Sequence, residues 1–295
     1  MHIRTFAEYV LQFIPARIYK FKVQNYEIYK HALTRKHGLE VGGPSGIFKK
    51  RNILPVYPIV KSIDGCNFSS HTVWEGRIDK MTYLEHDTEC GGKQYISDAT
   101  DLSIIESQLY DFVLSSHCLE HVANPLKALY EWTRVLKNDG FLLLVLPHKD
   151  KTFDHKRPVT TIDHVISDYD KCVGEDDLSH LEEILALHDL SMDKRAGDYE
   201  SFRARSQQNK FNRCLHHHVF DADLVVSLMN HIKMKIVSLD FAFPYHIVCL
   251  AQKNEKDALL YNSQYIGKNA IFRKDSIFPS DKIRIAARPL VLCYE

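Results

Sequence analysis

The sequence predicts an α/β fold: a doubly wound, mostly parallel seven-stranded sheet with helices on both faces, N-terminal helices ahead of it and a histidine-rich lid inserted late. Three observations carry this expectation. Short apolar runs alternate with helix-period segments from about residue 36 to 147. The run Phe141 to Leu146 is wholly apolar, as a strand covered on both faces requires. A glycine-rich turn, Gly42-Gly43-Pro44-Ser45-Gly46, follows the first apolar run, where positive φ and close backbone approach to a ligand are useful.

In chain order, residues 1–35 read as a helical segment whose first twenty residues form an amphipathic helix that packs on the domain or touches a membrane surface. Glu8, Gln12 and Pro15 interrupt any signal-peptide core. His37 begins the first strand. Pro55 to Asp64 reads as a second strand ending at an acid, and Gln94 to Leu102 as a third with Asp98 at its end. Between them, Phe68 and Trp74 sit in a loop that can wall a pocket. Tyr110 to Ser116 makes the fourth strand, and Leu126, Leu129, Tyr130, Trp132, Thr133 and Leu136 recur at helical spacing. Lys137-Asn138-Asp139-Gly140 is a turn into the fifth strand, which ends at Pro147.

Residues 148–220 are polar and histidine-rich, too long for an ordinary loop, and read as a lid or acceptor insertion within a domain spanning 36–253. A helix over 221–234, capped by Asp221 or Asp223, and two strands, 236–243 and 245–253, close the domain. Residues 254–295 form an extension with β-rich pieces such as 270–278.

The composition narrows the function. Lysine plus arginine (38) equals aspartate plus glutamate (38), so no net positive field steers the protein to nucleic acid, and a small or glycan acceptor fits better. The 7 cysteines include no C-x-x-C pair, which suits reduced thiols and a cytoplasmic location, and no 18-residue apolar run suggests a membrane span. The glycine turn has neither the G-x-x-x-x-G-K-S/T of a phosphate loop nor G-x-G-x-x-G. Acids at strand ends, Glu40, Asp64 and Asp98, favour instead a ligand with hydroxyls and a positive charge.

One motif points elsewhere. His117-Cys118-Leu119-Glu120-His121 fits H-x-x-E-H, the spacing by which two histidines on a helix hold zinc while the glutamate works on bound water. A zinc-dependent hydrolase through His117, Glu120 and His121 is therefore the alternative enzyme reading. A non-catalytic cofactor-binding protein is the third.

Taken together, the residues resemble the class I S-adenosylmethionine-dependent methyltransferases, whose fold is Rossmann-like. Glu40 to Gly46 resembles the first motif of that family, Tyr110 to His117 with Leu119-Glu120-His121 its fourth-strand motif, and Lys137 to Leu144 its K-P-G-G turn and strand. The first motif departs from G-x-G-x-G, and Asn138 stands for the proline. The resemblance implies S-adenosylmethionine as cofactor, with Glu40, Gly42, Gly43, Pro44, Ser45 and Gly46 around its methionine end. It places Asp64 on the ribose, Asp98 and Ala99 at the adenine, and Ser115, Ser116 and His117 beside the cofactor. More loosely, the chain is similar to bacterial saccharide or glycan methyltransferases, which implies O-methylation of a sugar. A hydroxyl acceptor needs a base, for which His148 at the fifth strand's end, Asp154 and His155 in the lid, and His217 within His216-His217-His218 are the candidates. No metal ligands are assigned, although Asp154, His155 or the triplet could hold a divalent ion against acceptor hydroxyls.

Overall fold

The structure, a computed structural model, describes residues 22–78, 82–84, 90–254 and 261–282. The N-terminal amphipathic run and the stretch after 282 lie outside these residues. The strands are β1 (His37–Val41), β2 (Ser62–Asn67), β3 (His71–Thr72), β4 (Gly76–Arg77), β5 (Gly91–Ile96), β6 (Tyr110–Ser116), β7 (Leu136–Pro147), β8 (Met234–Ala242) and β9 (His246–Lys253). Seven of them form one sheet in the order β5-β2-β1-β6-β7-β9-β8, and β3 pairs with β4 in a separate ribbon. Pairing is parallel from β5 through β7, and β9 runs antiparallel to both of its neighbours. The chain moves outward from β1 to β5 and then restarts at β6 on the other side of β1. Ligands bind outside the strand ends at such a reversal.

The fifth parallel strand shows why the sheet is buried on both faces. Side chains of β7 alternate between faces: Leu142, Leu144 and Leu146 enter one core cluster, and Leu143 and Val145 the other. Helices α1 (Tyr26–Leu33), α2 (Pro125–Val135) and α7 (Ala222–His231) cover them, α1 on the second face and the other two on the first. Each local sequence explains its helix. Pro125 stands in the first turn of α2, where its missing N–H is no loss, and Asn124 caps it by accepting from Lys127 N at 3.0 Å. Asp221 does the same for α7 through Leu224 N at 2.8 Å.

Between them the insertion expected as a lid is helical: α3 (Ile162–Asp170), α4 (Leu181–Leu187), α5 (Tyr199–Gln207) and α6 (Asn209–Asn212). Ile184, Ala196, Phe202 and Leu215 give it a small core of its own. Its two ends lie side by side, with His148 bridged to Phe220 and Lys149 N donating to Phe220 O at 3.0 Å. The insertion therefore leaves and rejoins the sheet at one point.

Four expectations change. The third strand spans Gly91–Ile96 and not Gln94 to Leu102, so Asp98 lies in the loop beyond it. The second strand starts at Ser62 and not at Pro55, because Pro55 and Pro58 have no N–H for a ladder. It consequently runs on to Asn67. The turn at residues 137–140 is a bulge within β7, with Asp139 at φ +59° and the register jumping between Tyr110↔Leu136 and Phe112↔Phe141. The piece 270–278 holds a helical turn, α8 (Phe272–Asp275), and is followed by α9 (Pro279–Lys282). Residues 261–282 pack on the sheet domain: Asn262 accepts from Ile236 N at 2.8 Å and donates to Met234 O at 2.9 Å. Among the described residues, no helix is long and apolar enough to cross a membrane.

Candidate functional site

A cleft of about 1510 Å³ opens outside the carboxyl ends of β1, β2, β5 and β6. Single-ligand pockets occupy roughly 300–1,000 Å³, so this one has room for two ligands side by side. One wall is the glycine turn with Asn67, Phe68, Asp98 and Ala99; the other carries His117, Glu120, His121, His216, Tyr245 and His246, with Trp74 and Phe153 at its margin.

The glycine turn is built around Glu40. This carboxylate is fully buried and accepts from Ser45 N (2.9 Å), Tyr57 Oη (2.7 Å) and Tyr83 Oη (2.7 Å). Burial raises its pKa, against the pull of these donors. Glu40 thus orders the turn and does not reach the cleft. Gly42 has φ +81°, and a Cβ there would stand 2.7 Å from Cys118 Sγ; one on Gly43 would stand 2.2 Å from Tyr83 Oη. Gly42 N donates to Cys66 O at 2.9 Å, so this amide is spent on holding β1 to β2. Gly42, Pro44, Ser45 and Gly46 line the cleft.

Asp64 requires correction. It lies mid-strand in β2, and its oxygens accept from Lys93 N (2.7 Å) and Tyr110 Oη (2.7 Å), with His37 Nε2 at 3.5 Å. It does not line the cleft, because the strand runs three residues further than the sequence suggested. The residue at the strand's end is Asn67. Its Nδ2 donates to Gly43 O at 2.9 Å, and its Oδ1 is buried without a partner. Alternation along SIDGCN, with Cys66 packed into the core, was the signal that could have found it.

Asp98 does line the cleft, but its carboxylate is already shared. Oδ1 accepts from Thr100 N (2.9 Å) and Thr100 Oγ1 (2.8 Å), and Oδ2 from Arg213 Nη2 (2.8 Å). Burial opposes the charge, yet Thr100 and Arg213 outweigh it and hold the carboxyl below its ordinary range. Arg213 so ties the insertion to the loop after β5, and it also pairs with Glu175 inside the insertion at 2.8 Å. Ala99 is fixed from beneath, its carbonyl accepting from Trp132 Nε1 at 2.9 Å.

The opposite wall is made of histidines. Ser115 Oγ donates to Val41 O at 3.0 Å and faces the neighbouring strand, whereas Ser116 and His117 reach the cleft. His117 adopts φ +52°, a conformation that residues other than glycine rarely take and that clusters at functional sites. Its Nε2 lies 2.8 Å from His246 Nδ1, and its Nδ1 lies 3.3 Å from Glu120 Oε1. Burial, and then the charge of His117, push His246 down to about 3. Burial, and then His216, push His121 down to about 3. Burial works against the charge of Glu120, but His117, followed by His121 and His216, keeps its carboxyl below the usual value.

None of the four predicted catalytic groups lines the cleft. His148 is fully buried, its Nδ1 accepting from Asp150 N (3.1 Å) and its Nε2 facing Asp281 Oδ1 (3.2 Å), with its ring stacked on Phe278. It follows the strand's last residue, as expected, but its side chain points into the body of the domain. His155 pairs with Asp189 at 3.0 Å, and His217 is buried against Asn209 at 2.9 Å. Asp154 sits behind the wall, 2.6 Å from His216 Nδ1 and 3.0 Å from Arg157 Nη1. The residue of the triplet that enters the cleft is His216, together with His246, which sequence reasoning did not single out.

The zinc-hydrolase geometry does not form. His117 stands at a strand end, Glu120 and His121 on a 3₁₀ turn (Leu119–His121), and the His117 ring is engaged by His246. The two histidines of H-x-x-E-H share no helical face.

The family described as methyltransferase domain matches residues 73–144, about a quarter of the chain. No curated protein matches. Among solved structures, the chain is similar to an S-adenosylmethionine-dependent methyltransferase from Aquifex aeolicus (13% identity, 84% of this chain and 97% of that one, TM-score 0.42). It is likewise similar to one from Methanosarcina mazei (18% identity, 78% and 99%, TM-score 0.45). At these scores the likenesses add nothing to the strand order already described. The matched segment carries β5, β6, the turn from His117 to His121 and α2. With the orphaned Asn67 Oδ1 and the open glycine turn beside it, that match supports the coarse reading of a methyltransferase with S-adenosylmethionine as its cofactor.

Proposed function

We propose that the protein is an S-adenosylmethionine-dependent O-methyltransferase acting on a sugar or a sugar-containing glycan. The observation that carries this is the relay Glu120–His117–His246, which opens into the same cleft as the Asn67 wall. When bound, the cofactor supplies an electrophilic methyl group. The chain supplies position and a proton acceptor.

Asn67 Oδ1 accepts from a ribose hydroxyl, the loop of Asp98 and Ala99 borders the adenine, and Phe68 closes over it. Displacement in line at a methyl carbon requires donor and acceptor roughly 3–3.5 Å apart and aligned. The breadth of the cleft allows both ligands at once, and Trp74, 45% exposed at its margin, offers an aromatic face to a sugar ring.

Proton removal follows from the tautomers. The Glu120 carboxylate, 3.3 Å from Nδ1 of His117, draws the proton to that nitrogen by its charge, without the alignment of a hydrogen bond, and Nε2 of His117 accepts from Nδ1–H of His246. His246 Nε2 is left with a lone pair. A proton taken there moves the Nδ1 proton of His246 onto His117 and leaves the positive charge beside Glu120. The low pKa of His246 is therefore no obstacle, because the pair, and not His246 alone, holds the charge.

Calorimetric titration with S-adenosylmethionine tests the cofactor, with micromolar binding expected; no binding at millimolar ligand overturns the reading. Transfer of a labelled methyl group to a panel of nucleotide sugars and glycans tests the acceptor class.

A further inference from the structure

Methyl transfer leaves one feature of the histidine wall unused. Glu120 is fully buried, and among the described residues neither of its oxygens receives a hydrogen bond; His117 Nδ1, at 3.3 Å, lacks the alignment for one. A buried carboxylate without donors is normally paired or bound to a cation. Beside it stand His121 and His216, and one potential ligand atom from each of the three residues lies within 4.8 Å of those of the others.

The rings are held as ligand histidines are held. His121 Nδ1 lies 3.0 Å from Leu215 O, a pure acceptor, so Nδ1 carries the hydrogen. His216 Nδ1 lies 2.6 Å from Asp154 Oδ2, which fixes that ring the same way. Each therefore turns Nδ1 to its support and keeps Nε2 for a ligand, and each has the carbonyl or carboxylate support that orients a metal-binding imidazole. Burial works against the charge of His216, but Asp154 outweighs it and raises its pKa, so an ion bound there displaces the Nε2 proton. The support is rigid: Asp154 is buried and receives Arg157 Nη1 at 3.0 Å, and Arg157 also donates to the backbone oxygen of His216 at 2.9 Å and to Glu183 at 2.8 Å. All three residues line the cleft.

We propose that Glu120, His121 and His216 form a site for a divalent first-row transition ion, with its remaining coordination positions open to the cleft. Two imidazoles and one carboxylate favour zinc, manganese or cobalt over magnesium and calcium, which take oxygen shells. The metal site does not rest on the methyltransferase reading above.

A second cluster, His164, Asp168 and His218, provides the internal control. There His164 Nε2 faces His180 Nε2 at 3.0 Å and His218 Nε2 faces Ala123 O at 3.3 Å, and none of the three lines the cleft.

The test is titration of the chelator-treated full chain with Co²⁺, read by visible absorption, and with Zn²⁺ and Mn²⁺ by calorimetry. One equivalent is expected, with at least tenfold weaker binding in Glu120→Gln and in His216→Asn and unchanged binding in His164→Asn. Glu120→Gln preserves shape, and circular dichroism confirms its fold. Absence of binding by the wild type for all three ions overturns the site, as does binding that survives both cleft variants and is lost in His164→Asn. S-adenosylmethionine is titrated into the metal-free chain in parallel. Cofactor binding without metal binding removes this site and leaves the methyltransferase reading standing; metal binding without cofactor binding supports the site and removes that reading.

Discussion

Asn67 Nδ2 donates to the carbonyl of Gly43 at 2.9 Å, which ties the end of β2 to the turn that leaves β1. The oxygen of the same amide is buried without a partner among the described residues, in a side chain that lines the cleft. Asn67→Ala removes both the acceptor offered to the cofactor and the donor that holds Gly43. Its Kd for S-adenosylmethionine should rise about tenfold, equivalent to ~1.4 kcal/mol, as measured by calorimetry. An unchanged Kd would place the ribose elsewhere.

His246→Ala should lower kcat by roughly 10²–10⁴-fold while leaving cofactor affinity within about twofold, and His117→Ala should do the same. Single-turnover kinetics beside calorimetry separates the two effects. Equal losses of turnover and cofactor affinity would mean that the pair shapes the cofactor pocket and is not the base.

His148 should behave oppositely. Its ring is buried between Asp150 N and Asp281 and stacked on Phe278. His148→Ala leaves Asp281 Oδ1 without its partner, while Oδ2 keeps Ser276 Oγ, and opens a cavity, at about 2–4 kcal/mol of stability in urea denaturation. Turnover per folded molecule should stay within about twofold of the wild type.

Asp221 makes stability depend on pH. Burial, chiefly, raises its pKa from the ordinary 3.8 to about 6. Between those values the unfolded chain has lost a proton that the folded chain still holds, so stability falls as pH rises through that window and levels off above it. Asn keeps the oxygen that caps Leu224 N but cannot titrate. The loss of urea stability between about pH 4 and pH 7 should therefore be smaller in Asp221→Asn, by on the order of 2 kcal/mol.

Much of the frame was legible because it is written in local periods. Phe141 to Leu146 announces a strand covered on both faces, and the structure sends its alternate leucines to two separate core clusters. Gly42 and the closing strands were equally readable. Asp64 was misplaced for a reason visible only in the ladder: the prolines at 55 and 58 delay the strand, so its end falls on Asn67.

By itself, then, the sequence determined the order of strands and helices, the two-faced sheet and the glycine turn, since each depends on sterics and burial within a few residues. Tertiary structure decided the chemistry of the cleft. His117 meets His246 across 129 positions and His216 meets Asp154 across 62, whereas His148, in the expected place along the chain, points into the domain. Which imidazoles face a ligand depends on how β9 returns beside β7 and how the lid folds back to Phe220. Those long-range closures leave no local pattern to read.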